Sequence, residues 1–279
     1  MIVVTGATGN VGRPLTRTLA EAGEEVLAVS RHVAQVPDGV RHLVADLVAP
    51  SALEPALVGA KALFLLLPGD LHGPGTAPAD IVTRAAAAGV RRLVLLSTQG
   101  VATRPYGGTR IAMRALEETV QQSGMEWSVL RPGGFASNAL WWAHSVRTQR
   151  LVAAPFADVG VPVVDPWDIA EVAAACLLED RHLGGVYELT GPEVITPRQQ
   201  AQAIATALGS PLRLHALTRD EAKAAMARNM PTELADDTLD ILGAPSDAEL
   251  RISPAVRQVL NRPARPFAEW ASRNVAAFR

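Results

Sequence analysis

The chain opens with a run of β-formers, residues 2–5, and then alternates short apolar runs with helical stretches. The pattern predicts a helix over 14–22 closed by Gly23, and strands over 25–30, 40–45 and 62–67, the last stopped by Pro68-Gly69. It continues with a helix over 79–88 ending at Gly89, a strand over 92–96, a helix over 111–122 ending at Ser123-Gly124, and a strand over 127–130. These strands lack polar–apolar alternation. Strands covered on both faces read this way, because neither side meets water. With helices between them they predict right-handed βαβ units and a doubly wound, parallel α/β sheet.

Past residue 131 the pattern loosens. Helices are expected around Trp141-Trp142, over 168–178 with Asp168 as N-cap, over 198–208 behind Thr196-Pro197, and over 219–228, 231–242 and 267–277. Short strands are expected over 186–189 and 212–217. This half predicts a small, mostly helical lobe.

Composition narrows the class. At 48% hydrophobic and 19% charged residues over 279 positions, a folded core is expected and disorder is not. A net charge of −2 argues against a nucleic-acid or anionic-membrane surface. The apolar runs are too short to span a bilayer, so a cytoplasmic protein is expected. The single cysteine, Cys176, sits in an apolar helix and excludes an intramolecular disulfide and a cysteine-based zinc site. Asp165 and Asp168 lack a supporting His or Glu cluster, so no metal is expected.

The strongest motif is Gly6-Ala7-Thr8-Gly9-Asn10-Val11-Gly12, placed between the first strand and the first helix. Gly6 permits a tight turn, Gly9 lets backbone approach a pyrophosphate, and Gly12 lets the helix lie close to the strand. The loop backbone at Thr8, Asn10 and Val11 then leads free amides and the positive end of the helix to the phosphates. The second strand ends Val29-Ser30-Arg31-His32. An NAD site places an acid there, against the ribose 2′-hydroxyl. Arg31 instead suits a 2′-phosphate, so NADP(H) is preferred over NAD(H). Asp46-Leu47, after the third strand, is placed to meet the adenine, and Asp46 is equally a helix N-cap. Leu67 and Ser97, at the ends of the fourth and fifth strands, complete the expected cofactor-binding set.

Together with 93–97, the run Ser123-Gly124-Met125-Glu126-Trp127-Ser128-Val129-Leu130-Arg131-Pro132-Gly133, and Val164-Asp165-Pro166-Trp167-Asp168-Ile169-Ala170, these residues resemble the short-chain dehydrogenase/reductase superfamily in its atypical, NmrA-like branch. The resemblance covers roughly residues 1–205. It implies an NAD(P)-binding Rossmann domain over 1–155 and a mixed region over 156–279 that returns to the sheet and forms a smaller, substrate-side lobe. Relatives of this kind include NAD(P)H-dependent quinone and isoflavone-type reductases, and also redox sensors that bind the dinucleotide without chemistry.

Ordinary members of the superfamily place Tyr and Lys at i and i+4, the lysine lowering the tyrosine pKa. This chain has two lysines, Lys61 and Lys223, preceded at that spacing by Leu57 and Arg219. The pair is absent. Tyr106 and Arg110 are the nearest substitute and the expected catalytic residues, although Gly107-Gly108 disfavours a regular helix between them. Arg110 stays charged and relays no proton. His72, in the Gly/Pro-rich loop after the fourth strand, and Phe135 and Asn138, beyond the sixth, are expected to face a small hydrophobic substrate. The Trp pair leaves a homodimer open. The first reading is an NADP(H)-dependent reductase of a small carbonyl, quinone or enone. The alternatives are a non-catalytic redox sensor and a non-redox isomerase, cyclase or epimerase.

Overall fold

The computed structural model describes residues 1–67, 78–106, 108–228 and 232–279. His72 and Gly107 lie outside the described residues. In chain order the elements are β1 (Ile2–Thr5), α1 (Gly12–Glu21), β2 (Val26–Ser30), β3 (Arg41–Val44), α2 (Glu54–Leu57), β4 (Ala62–Leu65), α3 (Pro78–Ala87), β5 (Arg92–Leu96), α4 (Gly100–Thr103), α5 (Gly108–Gln122) and β6 (Glu126–Pro132). They continue with α6 (Ala143–Gln149), β7 (Leu151–Pro155), α7 (Pro166–Leu178), β8 (Gly185–Leu189), α8 (Pro197–Leu208), β9 (Arg213–Leu217), α9 (Arg219–Met226), α10 (Thr232–Gly243), α11 (Asp247–Leu250), α12 (Ala255–Leu260) and α13 (Phe267–Arg273).

Seven strands form one parallel sheet in the order β3-β2-β1-β4-β5-β6-β8. The strand order reverses direction beside β1, the topology of a Rossmann-type sheet. β1, β2, β4 and β5 are buried along their whole length, which is why they read as unbroken apolar runs. Phe64, Leu63, Leu65, Leu93 and Leu95 are fully enclosed, each contributing about 1.5–3 kcal/mol by burial. The edge strand β3 is half-exposed.

The chain divides into two compact units. The first holds residues 1–132, 166–189 and 258–261, and therefore the whole seven-stranded sheet. The second holds 133–165, 190–257 and 262–279. Its core gathers Phe267, Trp270 and Phe278 with Ile204 of α8, and β7 pairs in parallel with β9. No helix among the described residues is long and apolar enough to cross a membrane.

Several local expectations are corrected. α7 starts at Pro166, two residues before Asp168, because proline is preorganised for a helix's first position; Asp168 lies buried in the first turn and is not the N-cap. α5 starts at Gly108 in spite of its glycine, so Arg110 is helical and Tyr106 is not. Trp141-Trp142 end a 3-10 helix, Ala136–Trp142. The last helix stops at Arg273 because the Asn274 side chain takes the Trp270 carbonyl at 2.8 Å and the backbone turns into a 3-10 helix, Val275–Phe278. β7 has no counterpart in the sequence reading; its buried positions, Val152 and Ala154, are too small to mark it.

Candidate functional site

The carboxyl ends of the parallel strands gather the chemistry. β1 is tied to β4 there: the Thr5 hydroxyl shares its proton between the carbonyls of Phe64 and Leu66, at 3.1 and 3.0 Å, and accepts the Leu66 amide at 2.8 Å. The chain then turns at Gly6, whose φ of +62° suits glycine, and the Gly9 amide closes the turn on the Gly6 carbonyl at 2.9 Å. Gly12 is the tightest position. A Cβ on it would stand 2.1 Å from the Gly6 carbonyl oxygen and 2.7 Å from the Ala7 Cα. Val11 and Gly12 are buried, whereas Thr8, Gly9 and Asn10 are exposed. No side chain caps α1 at Val11; the Arg13 amide closes on the Gly9 carbonyl at 3.0 Å and Pro14 has no N–H, so the backbone amides ahead of Arg13 are the ones the loop presents to a ligand. Arg13 folds back to donate to the Thr8 carbonyl at 3.3 Å, which puts a cation over the loop. The glycine cradle, the uncapped helix end and this charge fit a dinucleotide pyrophosphate.

Arg31 is exposed just beyond β2. Asp46 is also exposed, and its Oδ1 accepts the Val48 amide at 3.0 Å, so it stabilises the turn after β3. Leu47 and Leu67 are buried beside the same strand ends.

Past β5, Ser97 is buried and its hydroxyl donates to Glu117 of α5. Glu117 is itself buried and receives Arg131 of β6 through two bonds, Nε at 3.0 Å and Nη2 at 2.5 Å. The hydrogen bonds it donates to Glu117 hold Arg131 above the ordinary arginine range, against the lowering effect of burial. The Ser97 proton is therefore committed to a carboxylate. The oxygen's remaining lone pairs make Ser97 an acceptor rather than an acid. Arg110 is buried at the same edge, its guanidinium packed where a Cβ on Gly100 would sit. Tyr106 is 91% exposed. The structure thus brings Arg110 to the end of β5 and leaves Tyr106 in solvent.

Phe135 is half-buried in a bridge with Val164, and Asn138 is exposed on the following 3-10 helix. Cys176 is fully buried, and burial pushes its thiol up to about 12. Glu117, Arg131 and His42, which lies 2.7 Å from the Ser30 hydroxyl, were not singled out in sequence. Nothing in linear spacing joins residues 20 and 34 positions apart, as Ser97–Glu117 and Ser97–Arg131 are. No group of His, Cys, Asp and Glu among the described residues could hold a metal ion.

A family model described as NAD(P)H-binding matches residues 6–180. The chain is 37% identical over 285 residues to the (4-alkanoyl-5-oxo-2,5-dihydrofuran-3-yl)methyl phosphate reductase of Streptomyces griseus, covering 100% of this chain and 99% of that protein. It is 33% identical over 286 residues to the NAD(P)H azoreductase of Xenophilus azovorans, with 100% and 99% covered. The solved NADPH complex of the quinone oxidoreductase QOR2 from Escherichia coli shares the fold at a TM-score of 0.78 and 26% identity, over 98% of this chain and 99% of that one. The family model runs from the glycine loop to the end of α7, and the relatives match end to end; the chain belongs to the NAD(P)H-binding family.

Proposed function

We propose that this protein is an NADPH-dependent reductase of small conjugated acceptors. The observation that carries the reading is the glycine cradle, with a cation rather than an acid beyond β2, in a chain without the Tyr–Lys acid pair. The names of the relatives point the same way: a 5-oxo-2,5-dihydrofuran, an azo compound and a quinone are all conjugated π systems. NADPH, when bound, supplies the hydride. Addition to one end of a conjugated acceptor leaves the negative charge spread over oxygen or nitrogen, and water can protonate that anion. The protein then needs no tyrosine acid, and its contribution is position and charge.

In this reading, backbone around Gly6, Gly9 and Gly12 holds the pyrophosphate, Arg31 holds the 2′-phosphate, and Leu47 and Leu67 border the cofactor. Ser97 accepts a hydrogen bond at the nicotinamide end of the site. Arg110 faces the developing negative charge. Tyr106, exposed as it is, has no part in proton transfer.

The test follows NADPH oxidation with a benzoquinone, an azo dye and an unsaturated lactone, alongside calorimetry of the four dinucleotide forms. Turnover of at least one conjugated acceptor, with saturated ketones untouched, is expected. Tight NADPH binding without any turnover would overturn the reductase reading in favour of a dinucleotide sensor.

A further inference from the structure

The end of β2 carries a hydrogen-bonded device. The register pairs Ala28 with His42 and Ser30 with Val44, so Ser30 and His42 share one face of the β2–β3 pair. Ser30 is buried at 6% exposure. Its Oγ donates to the His32 carbonyl at 2.8 Å and lies 2.7 Å from His42 Nε2. A hydroxyl has one proton. With that proton on the His32 carbonyl, the Ser30 oxygen can only accept from His42, which makes Nε2 the protonated nitrogen of the ring. The Ser30–His32 bond closes a three-residue turn with Arg31 at its middle.

Ser30 is thus not available to donate to a phosphate. Its use is geometric. We propose that His42 is a positioning residue for cofactor choice: by holding the Ser30 hydroxyl it locks the turn that presents Arg31 to the 2′-phosphate of NADPH. The inference rests on the assignment of Arg31 made above. It adds that a strand-β3 histidine, which need not touch the phosphate, sets the preference. NADH has no 2′-phosphate, so its binding does not depend on this turn.

The experiment measures Kd for NADPH and NADH by calorimetry on the wild type, Arg31→Ala, His42→Ala, His42→Gln and the Arg31→Ala/His42→Ala double variant. Arg31→Ala is expected to weaken NADPH about thirtyfold, the effect of losing a charge-assisted hydrogen bond, and to spare NADH. His42→Ala is expected to weaken NADPH about fivefold, the effect of one net hydrogen bond, again sparing NADH. His42→Gln restores the preference, since its amide N–H can donate to Ser30. The double variant matches Arg31→Ala, because nothing is left to position.

Equal loss of NADPH and NADH in His42→Ala would mean a merely structural histidine and would overturn the proposal. So would a His42→Ala effect that persists in the Arg31→Ala background, or no effect at all. An Arg31→Ala variant with unchanged NADPH affinity removes the Arg31 assignment and the inference together. An Arg31 effect without a His42 effect removes the inference alone.

Discussion

Each end of the parallel strands pairs an arginine with carboxylates, Arg92 buried at one end and Glu117 buried at the other, and the two clusters are built differently. At the edge where strands begin, the arginine is the centre. Arg92 of β5 donates to Glu126 of β6 at 2.9 Å, to Asp180, and to the Leu177 carbonyl at the end of α7 at 3.1 Å. Burial alone would lower the Arg92 pKa, but its bonds to Asp180 and Glu126 outweigh that and raise it. The cation is spent on tying two strands to a helix end. At the edge where strands finish, the carboxylate is the centre. Glu117 gathers Arg131 and the Ser97 hydroxyl, and Ser97 keeps lone pairs to offer. A parallel sheet makes its edges unequal, since the following helices present their positive N-termini at one edge only. The same ingredients therefore fasten the fold at one edge and prepare a site at the other.

If that division holds, the largest effect on binding comes from Gly12→Ala. Its Cβ would stand 2.1 Å from the Gly6 carbonyl oxygen, and both partners are backbone, so the loop must open. NADPH binding should weaken by about a hundredfold, the upper range for forcing a close-packed contact apart, and calorimetry reads this directly. Next is Arg92→Ala, which leaves the Leu177 carbonyl without its donor and Glu126 with the more distant Arg91, at 3.7 Å. Stability should fall by about 3 kcal/mol in urea titration. The NADPH affinity of the folded variant should not change; a tenfold loss of affinity would break the division between the edges.

The cradle was readable in the sequence because its residues are contiguous: Gly6, Gly9 and Gly12 carry their geometry in their spacing. The buried strands were readable because burial on both faces leaves no polar position to interrupt them. β7 is not, because its buried side chains, Val152 and Ala154, are small and only tertiary packing decides their burial. Tyr106 is one of two tyrosines and follows the fifth strand, but neither scarcity nor position in the sequence encodes exposure. Glu117 and Arg131 read as ordinary charges on a helix and a strand end. Only the parallel register, which sets β5 beside β6, and the return of α5 over them, bring the two together.

Glu117→Gln sharpens the comparison at the carboxyl edge. It keeps the shape and removes the charge, so Arg131 loses its counter-ion while one acceptor remains. Stability should fall by about 1–2 kcal/mol. Turnover of a quinone should also fall about tenfold with little change in KM, equivalent to about 1.4 kcal/mol in the transition state. Arg92→Ala should show no such kinetic component. Loss of stability alone in Glu117→Gln would reduce the carboxyl-edge cluster to a second fastening.

The smallest effect belongs to His182, at the fastening edge. Its ring is buried at 5% exposure, with Nδ1 2.8 Å from the Tyr187 hydroxyl. Nε2 has no hydrogen-bond partner among the described residues, and the nearest carboxylate oxygen, on Glu179, is 3.8 Å away. Burial, helped by Arg181, lowers the His182 pKa below its ordinary value of 6.5, while Glu179 opposes the shift. Burial raises the Tyr187 pKa, so the phenol keeps its proton and can donate it to a neutral imidazole. The sign follows from proton counting. Below pH 6.5 the unfolded chain binds a proton that the folded chain resists, so the stability His182 contributes is present above that pH. It is lost as the pH falls toward the folded-state value. Urea midpoints taken between pH 7.5 and pH 5 should decline less steeply in His182→Phe than in the wild type, since other groups titrate equally in both. NADPH affinity at neutral pH should be the same in the two proteins, because His182 precedes the start of β8 whereas the glycine loop follows the end of β1.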